Sequence, residues 1–144
     1  MIITKITKKG IRIMREEGFV SLWIAKVDDA KQLNDVLNLE DYNDDGDRIA
    51  SEFEKCFDIE HIDSDFVESE VVGSKKRLSE LLSGFSYDNV ITSRFEQGIA
   101  QIPDIEISDF NAVILLYNFR YDGEKIEVLL NKNVFRFVGY VMYE

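Results

Sequence analysis

Apolar and polar residues alternate with different periods along this 144-residue chain, and the period identifies the elements. The segment 19–25 is rich in β-branched and aromatic residues, which favours a strand. The segment 66–72 alternates less regularly and predicts a second strand. The segment 112–119 is a nearly continuous apolar run, which is typical of a central strand.

Four segments carry apolar residues at helical spacing. The first is 30–37, with Asp28 placed to cap its start. The second opens at Ser51, because Ser51 and Glu54 fit the S-x-x-E capping box, and it carries the apolar residues of 53–57. The third begins at Gly73-Ser74 and places its leucines on one face. The fourth covers 91–102 and ends at the single proline of the chain.

The last third of the chain predicts strands joined by tight turns. A D-G turn at 121–124 separates the central strand from a strand at 126–130, and a second turn precedes a strand at 134–143. The sequence therefore predicts an α+β fold in one domain. Its antiparallel sheet contains a C-terminal three-stranded meander, and three or four helices pack on that sheet. We expect this domain to span 19–144, with residues 1–18 forming either an N-terminal extension or an extra strand.

Charge is distributed unevenly along the chain. Residues 28–70 contain sixteen Asp and Glu against three Lys and Arg, and the whole chain carries −11. Such a field repels nucleic acid and anionic membranes, and it attracts cations or a basic protein surface. The N-terminus lacks the apolar core of a signal peptide. Cys56 is the only cysteine, so no internal disulfide forms, which favours the reducing cytoplasm.

The acidic stretch contains a match to a calcium-binding loop. The pattern D-x-[DN]-x-[DN]-G-x5-E is satisfied by residues 41–52, which supplies oxygen ligands at alternate positions and a final carboxylate. The ligands would be Asp41, Asn43, Asp45, Asp47 and Glu52. Against this, the eighth position is Arg48 where an apolar residue is usual, and no second such loop follows. The simpler interpretation is a solvated acidic turn followed by a capped helix.

Catalytic motifs are not apparent in the sequence. Cys56 and His61 are the only residues of their types, and their spacing does not define a catalytic pair. Cys56 stands between two phenylalanines, as buried and inert thiols often do. There is no glycine-rich phosphate loop, and no pair of carboxylates stands out among so many. The sequence thus predicts neither an enzyme nor a bound cofactor.

Several segments together resemble the immunity protein 22 family, small bacterial proteins encoded beside toxins of polymorphic or contact-dependent systems. The resemblance covers about residues 19–130, leaving out residues 1–18 and the last strand. The order of the segments is more specific than any one of them. They are Val20-Ser21-Leu22-Trp23-Ile24, the stretch 42–53 with its D-G-D, 57–59, 63–68, 81–87 and 111–119.

The resemblance implies a protein that neutralises a cognate toxin domain by occupying it. If that toxin is a nuclease, its cleft is basic, and an acidic face could dock there rapidly. The residues expected to contact the toxin are Tyr42, Asp44, Asp45, Asp47, Glu52, Asp63, Asp65 and Glu68. Alternatively, the carboxylates are spectators and an aromatic anchor, Tyr42 or Tyr87, supplies most of the affinity.

Overall fold

The computed structural model describes the backbone of residues 5–6 and 12–144, and the side chains of residues 14–144. Within these residues, the strands are β1 (Lys5–Ile6), β2 (Arg12–Ile13), β3 (Arg15–Lys26), β4 (Val67–Val71), β5 (Ala112–Phe119), β6 (Glu127–Leu130) and β7 (Asn133–Met142). The helices are α1 (Ala30–Val36), α2 (Glu52–Cys56), α3 (Leu78–Leu81) and α4 (Asp88–Ile99). Short 3-10 turns cover Ser64–Phe66 and Ile107–Asp109.

Five strands form one antiparallel sheet in the order β4-β5-β3-β7-β6, while β1 pairs with β2. The predicted α+β class and antiparallel sheet are confirmed. The predicted three-stranded meander is wrong, because β3 lies between β5 and β7, and only the β6–β7 hairpin remains. β3 is apolar on both faces, so burial favours the middle of the sheet over an edge.

Helices cover both faces of the sheet and define two hydrophobic clusters. On one face, α1 and α2 pack over Trp23 and its neighbours. On the other face, α3 and α4 pack over Leu22, Ile24 and Leu115. Alternate residues of β3 therefore enter opposite clusters, as the two-residue period of a strand requires. This three-layer arrangement leaves β4 and β6 as the edges of the sheet.

Three helices differ from those predicted, and one of them is α4, which covers Asp88–Ile99 and not 91–102, so it ends before the proline. Asp29, not Asp28, caps α1: its backbone is extended and its side chain accepts a hydrogen bond from the Gln32 N–H. Helix α3 begins at Leu78, not at Gly73-Ser74. The Ser74 hydroxyl instead donates to the Ser108 carbonyl at 2.7 Å, which ties this segment to a neighbouring turn.

The capping box before α2 is present as predicted. The Ser51 side chain accepts from the Glu54 N–H, and the Glu54 carboxylate accepts from the Ser51 N–H. The helix carries Phe53 into the core, and Phe57 follows at its end, both fully buried. The expectations for residues 1–4 and 7–11 lie outside the described residues.

Candidate functional site

The acidic stretch folds back on itself as a small closed loop. We call residues 40–49 the acidic loop. Tyr42 and Arg48 form an isolated antiparallel bridge, and the Ile49 N–H donates to the Asp41 carbonyl at 2.7 Å. Gly46 makes the turn with a backbone φ of +84°, a conformation that residues other than glycine rarely adopt.

An asparagine side chain holds the acidic loop together. The Asn43 side-chain oxygen accepts hydrogen bonds from the N–H groups of Asp45 and Asp47, at 2.9 and 3.0 Å. The Glu52 carboxylate lies 3.7 Å from the Lys55 ammonium. Across the side chains that the structure describes, no three or more His, Cys, Asp or Glu residues are grouped so as to hold a metal. The geometry therefore does not favour the calcium alternative.

Arg48 anchors the acidic loop to α2 through a buried ion pair. Its guanidinium nitrogens donate to both oxygens of the Glu54 carboxylate, at 2.9 and 2.7 Å. The side chain of Glu54 is fully buried, and that of Arg48 is 13% exposed. The same carboxylate accepts from the N–H of Ile62 at 2.8 Å. Arg48 stands where the calcium pattern usually has an apolar residue. Here it joins the acidic loop to α2 and to the segment at Ile62.

Two opposing effects set the pKa of Glu54. Burial by itself raises it, but the hydrogen bonds from Arg48, Ser51 and Ile62 outweigh burial and leave the pKa lowered. The hydrogen bond to Glu54 in turn raises the pKa of Arg48. Both groups are therefore held in their charged forms.

The lowered pKa of Glu54 predicts a loss of stability in acid. Its contribution is complete above the pKa of an unfolded glutamate, about 4.3, and disappears as the pH falls through the lower folded value. In urea unfolding from about pH 7 to about pH 3, the stability gap between the wild type and Glu54→Gln should therefore narrow below about pH 5. A difference in the free energy of unfolding that stayed constant over this pH range would contradict the lowered pKa of Glu54.

Cys56 and His61 do not form a catalytic pair. Cys56 is partly buried and packs against the core, and burial raises the pKa of its thiol. The His61 Nδ1 instead lies 2.9 Å from a guanidinium nitrogen of Arg48. Neither residue is positioned as an activated nucleophile or its base.

The eight residues expected to contact a partner divide between two places. Tyr42, Asp44, Asp45, Asp47 and Glu52 belong to the acidic loop and the start of α2, and all five are exposed. Asp65 and Glu68 line a groove beside the edge strand β4, and Asp63 lines a smaller crevice that shares Phe66 and Tyr117 with it. The structure thus brings five of these residues together at the acidic loop and the start of α2, and the other three beside β4.

The groove beside β4 is built mainly from aromatic side chains, and we call it the tyrosine groove. It encloses about 260 Å³. Its lining consists of Asp65, Phe66, Val67, Glu68, Ser86, Tyr87, Tyr117 and Tyr143. The Tyr87 ring is centred 4.8 Å from the Tyr143 ring and 6.2 Å from the Tyr117 ring. Tyr117 and Tyr143 are buried, whereas Tyr87 is 51% exposed.

Hydrogen bonds hold the floor of the tyrosine groove. The Tyr117 hydroxyl donates to the Ser86 carbonyl at 2.6 Å and lies 3.3 Å from the Glu68 carboxylate. Burial and the nearby Glu68 charge both raise the pKa of Tyr117, so its hydroxyl stays protonated. The Glu68 carboxylate also accepts from the Ser86 N–H and hydroxyl. These contacts fix a carboxylate beside an exposed aromatic ring.

Tyr117 and Tyr143 are not among the residues singled out from the sequence, and both line the groove. The alternation of β5 puts Tyr117 on the same face as Val113 and Leu115, and Tyr143 follows β7 directly. That alternation could have placed both on the α4 face. Tyr87, at the start of α4, has a left-handed backbone with φ of +63°, which no sequence pattern here indicated.

A comparison with known protein families shows which family this chain belongs to. The family model described as Immunity protein 22 matches residues 20–144. The chain belongs to the Immunity protein 22 family. No curated protein and no solved structure gave a significant match.

Membership of the Immunity protein 22 family implies an immunity role in general. The family match extends through the last strand, so the expectation that this strand lies outside the resemblance is wrong. It also includes the acidic loop and every residue that lines the tyrosine groove. None of the helices among the described residues is long and apolar enough to cross a membrane.

Proposed function

We propose that this member of the Immunity protein 22 family binds a cognate toxin domain and neutralises it by occupancy, without catalysis. The observation that carries the proposal is a preformed aromatic groove lined by Asp65 and Glu68, in a chain of net charge −11 that also presents an exposed acidic loop. A surface of this kind suits a basic protein partner. The lone Cys56 is in keeping with action in the cytoplasm.

The acidic loop supports rapid encounter with a basic partner. Asp44, Asp45 and Asp47 are exposed, and no ion pair to them occurs among the described side chains. Uncompensated charge of one sign raises the association rate with an oppositely charged surface. We propose further that the toxin is a nuclease, whose cleft carries positive charge to bind the nucleic-acid backbone.

The proposal predicts salt-sensitive binding that depends on the acidic loop. Changing Asp44, Asp45 and Asp47 together to Asn should lower the association rate with the toxin domain encoded beside this protein by about 10-fold or more at low salt. The difference should shrink at high salt, because ions screen exposed charges. Surface plasmon resonance at both salt concentrations measures the rates.

A charge-matched variant separates local recognition from net charge. Neutralising Glu96, Asp109 and Glu124, three exposed carboxylates outside the acidic loop, removes the same total charge and should change the rate much less. Equal effects of the two triple variants would overturn the role of the acidic loop. If the wild-type protein neither bound nor inhibited the toxin domain in calorimetric and activity titrations, the immunity function itself would be rejected.

A further inference from the structure

Glu68 holds a negative charge that none of its described contacts offsets. Its carboxylate accepts hydrogen bonds from the N–H and hydroxyl of Ser86 and lies beside the hydroxyl of Tyr117, and all three donors are neutral. Asp65 lines the same groove, and its carboxylate forms no ion pair with the described side chains. Two acidic residues therefore line the groove, and none of its lining residues is a lysine or an arginine.

Two arginines lie next to residues of the tyrosine groove, and both already have partners. Arg15 lies 3.9 Å from the Asp63 carboxylate and stacks over the Phe66 ring at 5.9 Å. Arg94 donates to the Met142 carbonyl. Burial is the largest cause that raises the pKa of Tyr143, and the nearby charges of Glu144 and Glu17 raise it further. These two carboxylates add to the negative potential around Tyr143. The groove thus combines negative potential with an exposed aromatic face.

The exposed ring of Tyr87 is held in place before any partner arrives. Its contacts with Tyr143 and Tyr117 fix one side of the ring, and half of its surface remains open to solvent. A preordered aromatic face loses little conformational entropy on binding, which is a property of interface hot spots. The volume of about 260 Å³ is below the usual range of small-molecule sites but can accommodate one long side chain.

We propose that the tyrosine groove receives an arginine side chain of the toxin, stacked on the Tyr87 ring and paired with the carboxylates of Glu68 and Asp65. This inference rests on the proposed function. Arginine fits better than lysine, because its planar guanidinium stacks on aromatic rings and pairs with carboxylates through two parallel hydrogen bonds. The chain already uses the same chemistry internally, where Arg120 lies over the Tyr140 ring at 5.4 Å and pairs with Glu16.

Two matched pairs of variants test the inference on the toxin domain encoded beside this protein. Tyr87→Ala and Glu68→Gln should each weaken the equilibrium affinity by about 30-fold, as loss of a hot-spot contact does. Tyr140→Ala removes another exposed tyrosine, which lies on β7 outside both the groove and the acidic loop, and Glu70→Gln changes a neighbouring carboxylate of β4 outside the groove. Both controls should stay within about threefold of wild type. Circular dichroism confirms that each variant is folded.

A second measurement does not require the toxin. A hexa-arginine peptide added to the isolated protein should shift the NMR resonances of the Tyr87 and Tyr143 rings more than a hexa-lysine peptide does. Tyr87→Ala and Glu68→Gln should abolish this preference, and Tyr140→Ala should keep it. Equal shifts with both peptides, or shifts confined to the acidic loop, would overturn the inference.

The two measurements distinguish failure of the inference from failure of the function. Wild-type affinity for the toxin in both groove variants would overturn the inference and leave the immunity function standing. Absence of toxin binding by the wild type, together with arginine-selective shifts at Tyr87, would reject the function while supporting the chemistry of the groove.

Discussion

Changing Glu54 to Gln is expected to lower the free energy of unfolding by about 3–5 kcal/mol, because it leaves the Arg48 guanidinium buried without its counter-charge. The variant side chain keeps its shape, so the loss reports the charge and not the packing. The effect should exceed that of an ordinary surface pair, since Glu54 is fully buried and receives five hydrogen bonds. Urea unfolding followed by circular dichroism measures it.

Two further variants sharpen this test. Glu52→Gln changes a neighbouring carboxylate of α2 that is 61% exposed, and it should alter stability by no more than about 0.5 kcal/mol. The double change Arg48→Met with Glu54→Leu should recover part of the loss, because it removes both buried charges. Recovery stays incomplete, since the N–H groups of Ser51 and Ile62 lose their acceptor. Equal stability of Glu54→Gln and Glu52→Gln would contradict the buried-pair interpretation.

Trp23→Ala is expected to destabilise the domain by about 3–5 kcal/mol by opening a cavity at the centre of the sheet. The Trp23 ring is fully buried and contacts Phe53, Phe57, Tyr121 and Phe137, at centroid distances from 4.9 to 5.7 Å. These aromatic neighbours are rigid and cannot collapse fully into the space. Calorimetric melting of the variant and the wild type gives the difference.

Trp23→Phe serves as the matched comparison. The indole N–H of Trp23 is buried and has no hydrogen-bond partner among the described residues. Phenylalanine removes that unpaired donor while filling most of the volume, so its cost should be well below that of alanine. A Phe variant as unstable as the Ala variant would show that shape, and not volume, determines the packing at this position.

Local sequence signals predicted the elements whose stability is decided locally. The capping box of Ser51 and Glu54 was recognisable because both partners lie three residues apart. The strands at 19–25 and 112–119 were recognisable because burial on both faces requires continuous apolar residues. The predicted start of α3 was wrong because the Ser74 hydroxyl donates a hydrogen bond to the carbonyl of Ser108, which is distant in sequence.

Neither the sheet order nor the tyrosine groove could be predicted from short-range patterns. The position of β3 between β5 and β7 depends on pairing across most of the chain, which no hairpin signal reports. The groove joins Glu68, Tyr87, Tyr117 and Tyr143 from four separate segments. The calcium pattern shows the converse problem: the ligand types matched locally, but Arg48 of this loop pairs with Glu54, six residues further on, a contact that the pattern does not include.

The position of β3 has a consequence for how the protein is made. This strand leaves the ribosome before both of its neighbours in the sheet: Leu22 pairs with Leu115 and Gly139, which are synthesised much later. Such non-local pairing slows folding and leaves an apolar strand without neighbours during synthesis. A nascent chain that stops before residue 133 has β3 but not β7, so the sheet stays open along one side of its central strand. We therefore expect β3 to be prone to aggregation until β7 has emerged.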